Sequence, residues 1–162
     1  MRAWDKRVPE IAYLLNPPFC ARIILSAIRA YVLESERSMP FPLVYLILPL
    51  VLHKETRKKI NSVSKMSSWI KSHPDALLGF PERAKGLIRI TNEAYEYLAA
   101  SGLIEMNGNA ELAPKMAKKS LSETKFTDGD VNECIGKAKH VGKWFARSGN
   151  VETIYICWGI RP

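Results

Sequence analysis

Apolar positions cluster in a proline-punctuated block from Asn16 to Lys54, and their spacing predicts two helices. Asn16 can cap a helix through its side-chain oxygen, and Pro17 suits the first helical position, where its missing N–H needs no partner. From Phe19 onward Ile23, Ile24, Ala27, Ile28, Tyr31 and Val32 recur at helical spacing, leaving Arg22, Ser26 and Arg29 as a narrow polar stripe. A helix with so little polar surface is expected to be mostly buried. Glu34 to Ser38 makes a solvated turn, and Pro40 and Pro42 restart the chain. The run from Phe41 to Leu52 is apolar all round and contains Pro49, which predicts a kinked core helix. It is well short of the roughly twenty apolar residues that cross a bilayer, so no membrane role is expected.

Beyond this block the elements are shorter. Met66, Trp69 and Ile70 predict a small amphipathic helix capped near Ser62 or Ser64 and stopped by His73-Pro74. Gly79-Phe80-Pro81 reads as a turn into another helix. Thr91 opens a further helix with Ala94, Tyr95, Leu98 and Ala99 inward, closed at Gly102. Asn107-Gly108-Asn109 between Leu103–Met106 and Ala110–Ala113 is a strong hairpin signal. A helix followed by such a hairpin resembles the last helix and wing of a winged-helix domain. Asp128 or Asp130 can cap a final helix whose buried face is Val131, Cys134, Ala138, Val141 and Phe145. The β-branched and aromatic run Thr153–Trp158 predicts a C-terminal strand.

The expected fold class is therefore mainly α within α+β: a helical bundle with a winged-helix-like helix, a β-hairpin and a short C-terminal strand. One domain is expected over 1–162, with a helical core at about 1–115, a polar, lysine-rich connection at 116–130, and a helix and strand at 131–162. At 162 residues the chain can bury roughly 70% of its unfolded surface without a covalent staple. Cys20, Cys134 and Cys157 are odd in number and lie in apolar patterns, which predicts reduced thiols. The charged start, Met1-Arg2-Ala3-Trp4-Asp5-Lys6-Arg7, has no export signal, so the expected location is cytoplasmic.

Charge narrows the functional classes. The formal net charge is +8, and from Lys54 to Arg89 nine basic residues face three acidic ones. Arg57, Lys58, Lys59 and Lys65 are the candidate contacts for DNA or an acidic partner. Trp69 and Trp144 fall in helical patterns and are expected in the core. Trp4 and Trp158, near the chain ends, are the candidate partner anchors.

No local constellation supports catalysis or cofactor binding. His53, His73 and His140 share no metal-ligand spacing with one another or with a cysteine. No phosphate-binding loop is present, and Asp128 and Asp130 flank Gly129 as capping residues. The expectation is a non-enzyme with no catalytic residues, cofactor or metal.

Asn16-Pro17-Pro18-Phe19, Pro40-Phe41-Pro42, the stretch Leu46–Arg57 and the terminal Trp158-Gly159-Ile160-Arg161-Pro162 are similar to the middle component of bacterial three-component ABC defence systems. The Lamassu-type antiphage systems belong to the same group. The resemblance runs from about Trp4 to Pro162. It implies a non-catalytic bridging subunit whose partners are an SMC- or Rad50-like ABC ATPase and an effector, often a nuclease, with any DNA contact made inside the complex. The alternative is a free-standing winged-helix DNA-binding regulator. Against it, the helix opened by Thr91 carries Glu93 and Glu96, which phosphates would repel.

Overall fold

The computed structural model describes residues 15–61, 63–115 and 129–161. Helix α1, Pro17–Ser35, starts as its sequence predicts: the Asn16 side-chain oxygen accepts the Phe19 N–H at 2.7 Å. It ends at Glu36, whose left-handed backbone (φ 57°) lets its N–H reach the Val32 carbonyl at 2.8 Å. Ile23, Ile24, Ala27 and Ile28 are fully buried. Within the polar stripe Ser26 is also buried, because its hydroxyl donates to the Arg22 carbonyl at 2.8 Å and so needs no water.

Met39–Pro40 forms β1, and a 3₁₀ turn at Phe41–Leu43 leads into α2, Val44–Val51. Pro49 lies inside α2, where the ring costs one helical hydrogen bond. Burial outweighs that loss, since every residue of α2 except Tyr45 is buried. Three short helices follow: α3 at Lys54–Lys59, α4 at Met66–Ser72 and α5 at Phe80–Gly86, with a 3₁₀ turn at Pro74–Leu77 before α5. Gly79 enters α5 at φ 68°, a conformation that favours glycine.

Helix α6, Ile88–Ala100, leads to β2, Ile104–Met106, and β3, Glu111–Pro114. The two strands pair antiparallel with Ile104 opposite Pro114, and β1 adds to the free edge of β3 with Met39 opposite Leu112. The sheet order is thus β1-β3-β2. The Asn107 side-chain oxygen ties the hairpin loop by accepting the N–H groups of Asn109 at 2.9 Å and Glu111 at 3.1 Å. Ala110, at φ 56°, takes the left-handed position that the loop requires.

Helix α7, Gly129–Arg147, packs along α1, and α6 covers another side of α1. The α1–α7 approach is close at Gly142, where a Cβ would stand 2.2 Å from the Ala27 carbonyl oxygen. Helix α8, Val151–Cys157, completes the described fold, which is mainly helical with one small antiparallel sheet.

Several expectations are corrected. The C-terminal strand is α8: Asn150 caps it by accepting the Thr153 N–H at 2.9 Å, and Ile154 and Trp158, one turn apart, are fully buried. Tertiary burial of that stripe overrides the β propensity of the run. Helix α6 begins at Ile88, ahead of Thr91, which is buried within it, and Ala99 faces out. Lys65 holds the capping position of α4 with no side-chain hydrogen bond, while the Ser64 N–H is taken by Asn61 at 3.1 Å. The polar connection expected at 116–130 falls, up to 128, outside the described residues. Cys20, Cys134 and Cys157 form no disulfide.

Candidate functional site

The basic segment is held to the fold by aromatic side chains from three helices. The Trp69 indole N–H donates to the Lys59 carbonyl at 2.9 Å, and that of Trp144 to the Ser64 carbonyl at 2.9 Å. The Trp158 N–H points at the Met66 sulfur at 3.3 Å. Lys137 adds its ammonium to the Ile60 carbonyl. The rings themselves cluster, with Trp69 centroids 5.2 Å from Trp144 and 6.2 Å from Trp158, and Phe80 5.0 Å from Trp158. Irregular backbone that would otherwise need water is thereby satisfied from inside.

Against this frame the predicted contact residues separate. Arg57 is 5% exposed and points inward, donating from Nη1 to the Val51 carbonyl at 3.0 Å and from Nε to Glu133 at 3.3 Å. It joins α3 to α7 and is not a surface cation, which corrects its place in the expected basic patch. Lys59 is exposed but paired with Asp75 at 2.9 Å. Their hydrogen bond raises the lysine pKa and lowers that of the aspartate. Lys58 and Lys65 are exposed, with no ion pair among the described residues. Trp158 is fully buried, so it is a core residue and not a surface anchor. Trp4 lies outside the described residues.

Lys65 stands apart from the other three basic residues. It borders a cleft of about 220 Å³ formed where the start of α4 meets the ends of α7 and α8. Arg147, Ser67 and Thr153 share its polar lining, and Met66 and Cys157 supply apolar surface. Arg147 is fixed by Glu34 of α1, with Nε 2.7 Å and Nη2 2.6 Å from the same carboxylate oxygen. Ser148 turns its hydroxyl back onto the Trp144 carbonyl. Arg147 and Thr153 were not among the candidates read from the sequence. The signal was there in part: Val151, Ile154, Tyr155 and Trp158 have helical spacing, and a helix after Asn150 brings Thr153 next to the end of α7. A second depression, lined by Glu105, Asn107 and Glu111, lies by the hairpin and is acidic.

The arrangement suits binding. Among the described residues no three of His, Cys, Asp and Glu stand together as a metal site, and no helix is long and apolar enough to cross a membrane. His53 and His140 both have lowered pKa values, chiefly from burial. Arg83 and Arg57 add to the effect at His53, and Lys137 and Lys143 at His140. The family model described as "ABC-three component (ABC-3C) system Middle Component 3" matches residues 4–162. No curated protein and no solved structure matches the chain.

Proposed function

From the premise that the chain belongs to the middle-component family of ABC-three component systems, we propose that it is a non-catalytic bridging subunit in defence against phage. It docks on an SMC- or Rad50-like ABC ATPase and restrains or positions an effector, often a nuclease. The observation that carries this reading is the match over residues 4–162, nearly the whole chain, so family membership applies to the complete fold and not to an accessory segment. Two structural features support it. Arg57 is spent on a tie inside the fold to Glu133, Lys59 pairs with Asp75 at the surface, and large apolar side chains remain exposed at Leu33, Leu78 and Ile156.

The winged-helix-like reading is supported by the order of α6, β2 and β3, with β1 closing the sheet beside β3. A free-standing DNA-binding regulator gains less. The exposed side of α6 carries Asn92, Glu96 and Tyr97, and its one exposed cation, Arg89, sits in the first turn. A carboxylate at its centre would oppose phosphate.

The test is co-expression with the neighbouring ATPase and effector, followed by gel filtration and assays of each component alone. The expected result is a complex that survives the column, with ATP and nucleic-acid hydrolysis belonging to the partners. Separate elution at micromolar concentration, or turnover that tracks with point variants of this chain, would contradict the proposal.

A further inference from the structure

The cleft bordered by Lys65 and Arg147 combines features that the internal ties of the fold do not use. Its cations stand beside the soft apolar side chains of Met66 and Cys157. Lys65 has no ion pair among the described residues. Arg147 is already oriented, since Glu34 engages Nε and Nη2 and leaves Nη1 to meet a second acceptor. A guanidinium held in place loses less freedom on binding than a mobile one.

Exposed apolar side chains adjoin, in sequence, residues of the cleft and of its tie to α1. Leu33, next to Glu34, is 74% exposed; Val63, two positions before Lys65, is 92% exposed; Ile156, next to Cys157, is 59% exposed. We propose that this cleft is the docking point for a protein component of the same system and that it receives a segment presenting a carboxylate beside apolar side chains. The proposal rests on the bridging reading above and adds the surface and the chemistry of its partner.

Charge and polarity select this occupant. Glu34 offsets one of the two cations, so the cleft carries about one unit of positive charge, which matches a single carboxylate. Duplex DNA carries about one negative charge per 1.7 Å and rewards a row of free cations, to which exposed Leu33, Val63 and Ile156 add nothing. An acidic, apolar peptide uses both parts: the carboxylate meets Lys65 and Arg147, and its neighbours cover the apolar surface.

The experiment uses the full-length chain with the ATPase and effector of its own system, titrating parent and variants against each partner and against both together. Lys65→Glu/Ile156→Ser should weaken the complex roughly tenfold to a hundredfold, while Lys58→Glu/Leu78→Ser, outside the cleft, should stay within about twofold. Lys65→Ser guards against misfolding, because serine is a better residue than lysine at the start of α4. It should raise the melting temperature slightly and still weaken binding. A parent complex that the cleft variants leave unchanged would overturn this proposal and spare the bridging reading. No complex between the parent and either partner would remove both. If the free chain binds a duplex oligonucleotide, and Lys65→Glu abolishes that binding while the protein complex is untouched, the cleft belongs to nucleic acid and the proposal fails.

Discussion

The bundle of α1, α2 and α7 and the segment from α3 to α4 are stabilised in different ways. In the bundle, fully buried aliphatic side chains from Ile23 to Val51 carry the fold, and the Arg147–Glu34 pair ties α7 to α1 at the partly exposed edge. The α3–α4 segment is short, charged and irregular, and indole N–H groups of Trp69 and Trp144 together with Lys137 hold its backbone carbonyls. The first region is robust because burial is non-directional and tolerant. The second depends on a few directional contacts, and it places free cations on a defined surface. The difference teaches that exposed, unpaired cations are held in place where the hydrophobic pattern is weakest.

The largest expected effect tests whether the tied segment needs its aromatic anchor. Trp158→Ala should cost about 3–5 kcal/mol, the range for emptying a buried aromatic site, read as a lower denaturation midpoint in urea. A loss under about 1 kcal/mol would mean that α8 adds little to the frame. In the bundle, Gly142→Ala forces a methyl onto the Ala27 carbonyl, so α1 and α7 must separate. The expected loss is about 2–3 kcal/mol, or a melting temperature lower by roughly 4–12 °C. An unchanged melting curve would show that the bundle is looser than its geometry.

Arg57→Ala and Lys58→Ala separate the two kinds of neighbouring cation. Removing Arg57 leaves the Val51 carbonyl only the weak Cys134 thiol and takes from Glu133 its Arg57 partner, at an expected cost of about 2 kcal/mol once the partial exposure of Glu133 is allowed for. Lys58→Ala should stay within about 0.5 kcal/mol. Equal effects in chemical denaturation would erase the distinction between tie and surface.

Acidification acts on the histidines of both regions. Burial depresses the pKa of His53 and His140 in the fold, so the unfolded chain binds protons first. Stability from these groups is present above about pH 6.5, the ordinary imidazole value, and is lost as pH falls from there through the folded pKa values. Denaturation midpoints measured downward from neutral pH should decline, and His140→Gln should flatten the slope. The one expected gain is small: Ala110→Gly relieves a left-handed alanine in the hairpin and should add about 0.5–1 kcal/mol. A lower melting temperature for this variant would show that the loop does not hold Ala110 under strain.

The sequence by itself determined α1 with its Asn16 cap, the apolar helix across Pro49, the glycine turn before α5 and the Asn-Gly hairpin. Each of these follows from periodicity or from the few conformations open to Asn, Gly and Pro, which are properties of near neighbours. Tertiary structure decided the rest. Residues 153–158 coil into α8 because Ile154 and Trp158 fill the core on one helical face. Arg57 turns inward because Glu133, 76 positions away, and the Val51 carbonyl receive it. Arg147 meets Glu34 across a separation of 113 residues and borders the cleft with Lys65. A charged side chain carries no local mark of whether its partner is water or a distant carboxylate, because its hydrogen bonds are satisfied either way. The meeting of α7 with α3 for Arg57, and with α1 for Arg147, makes that choice.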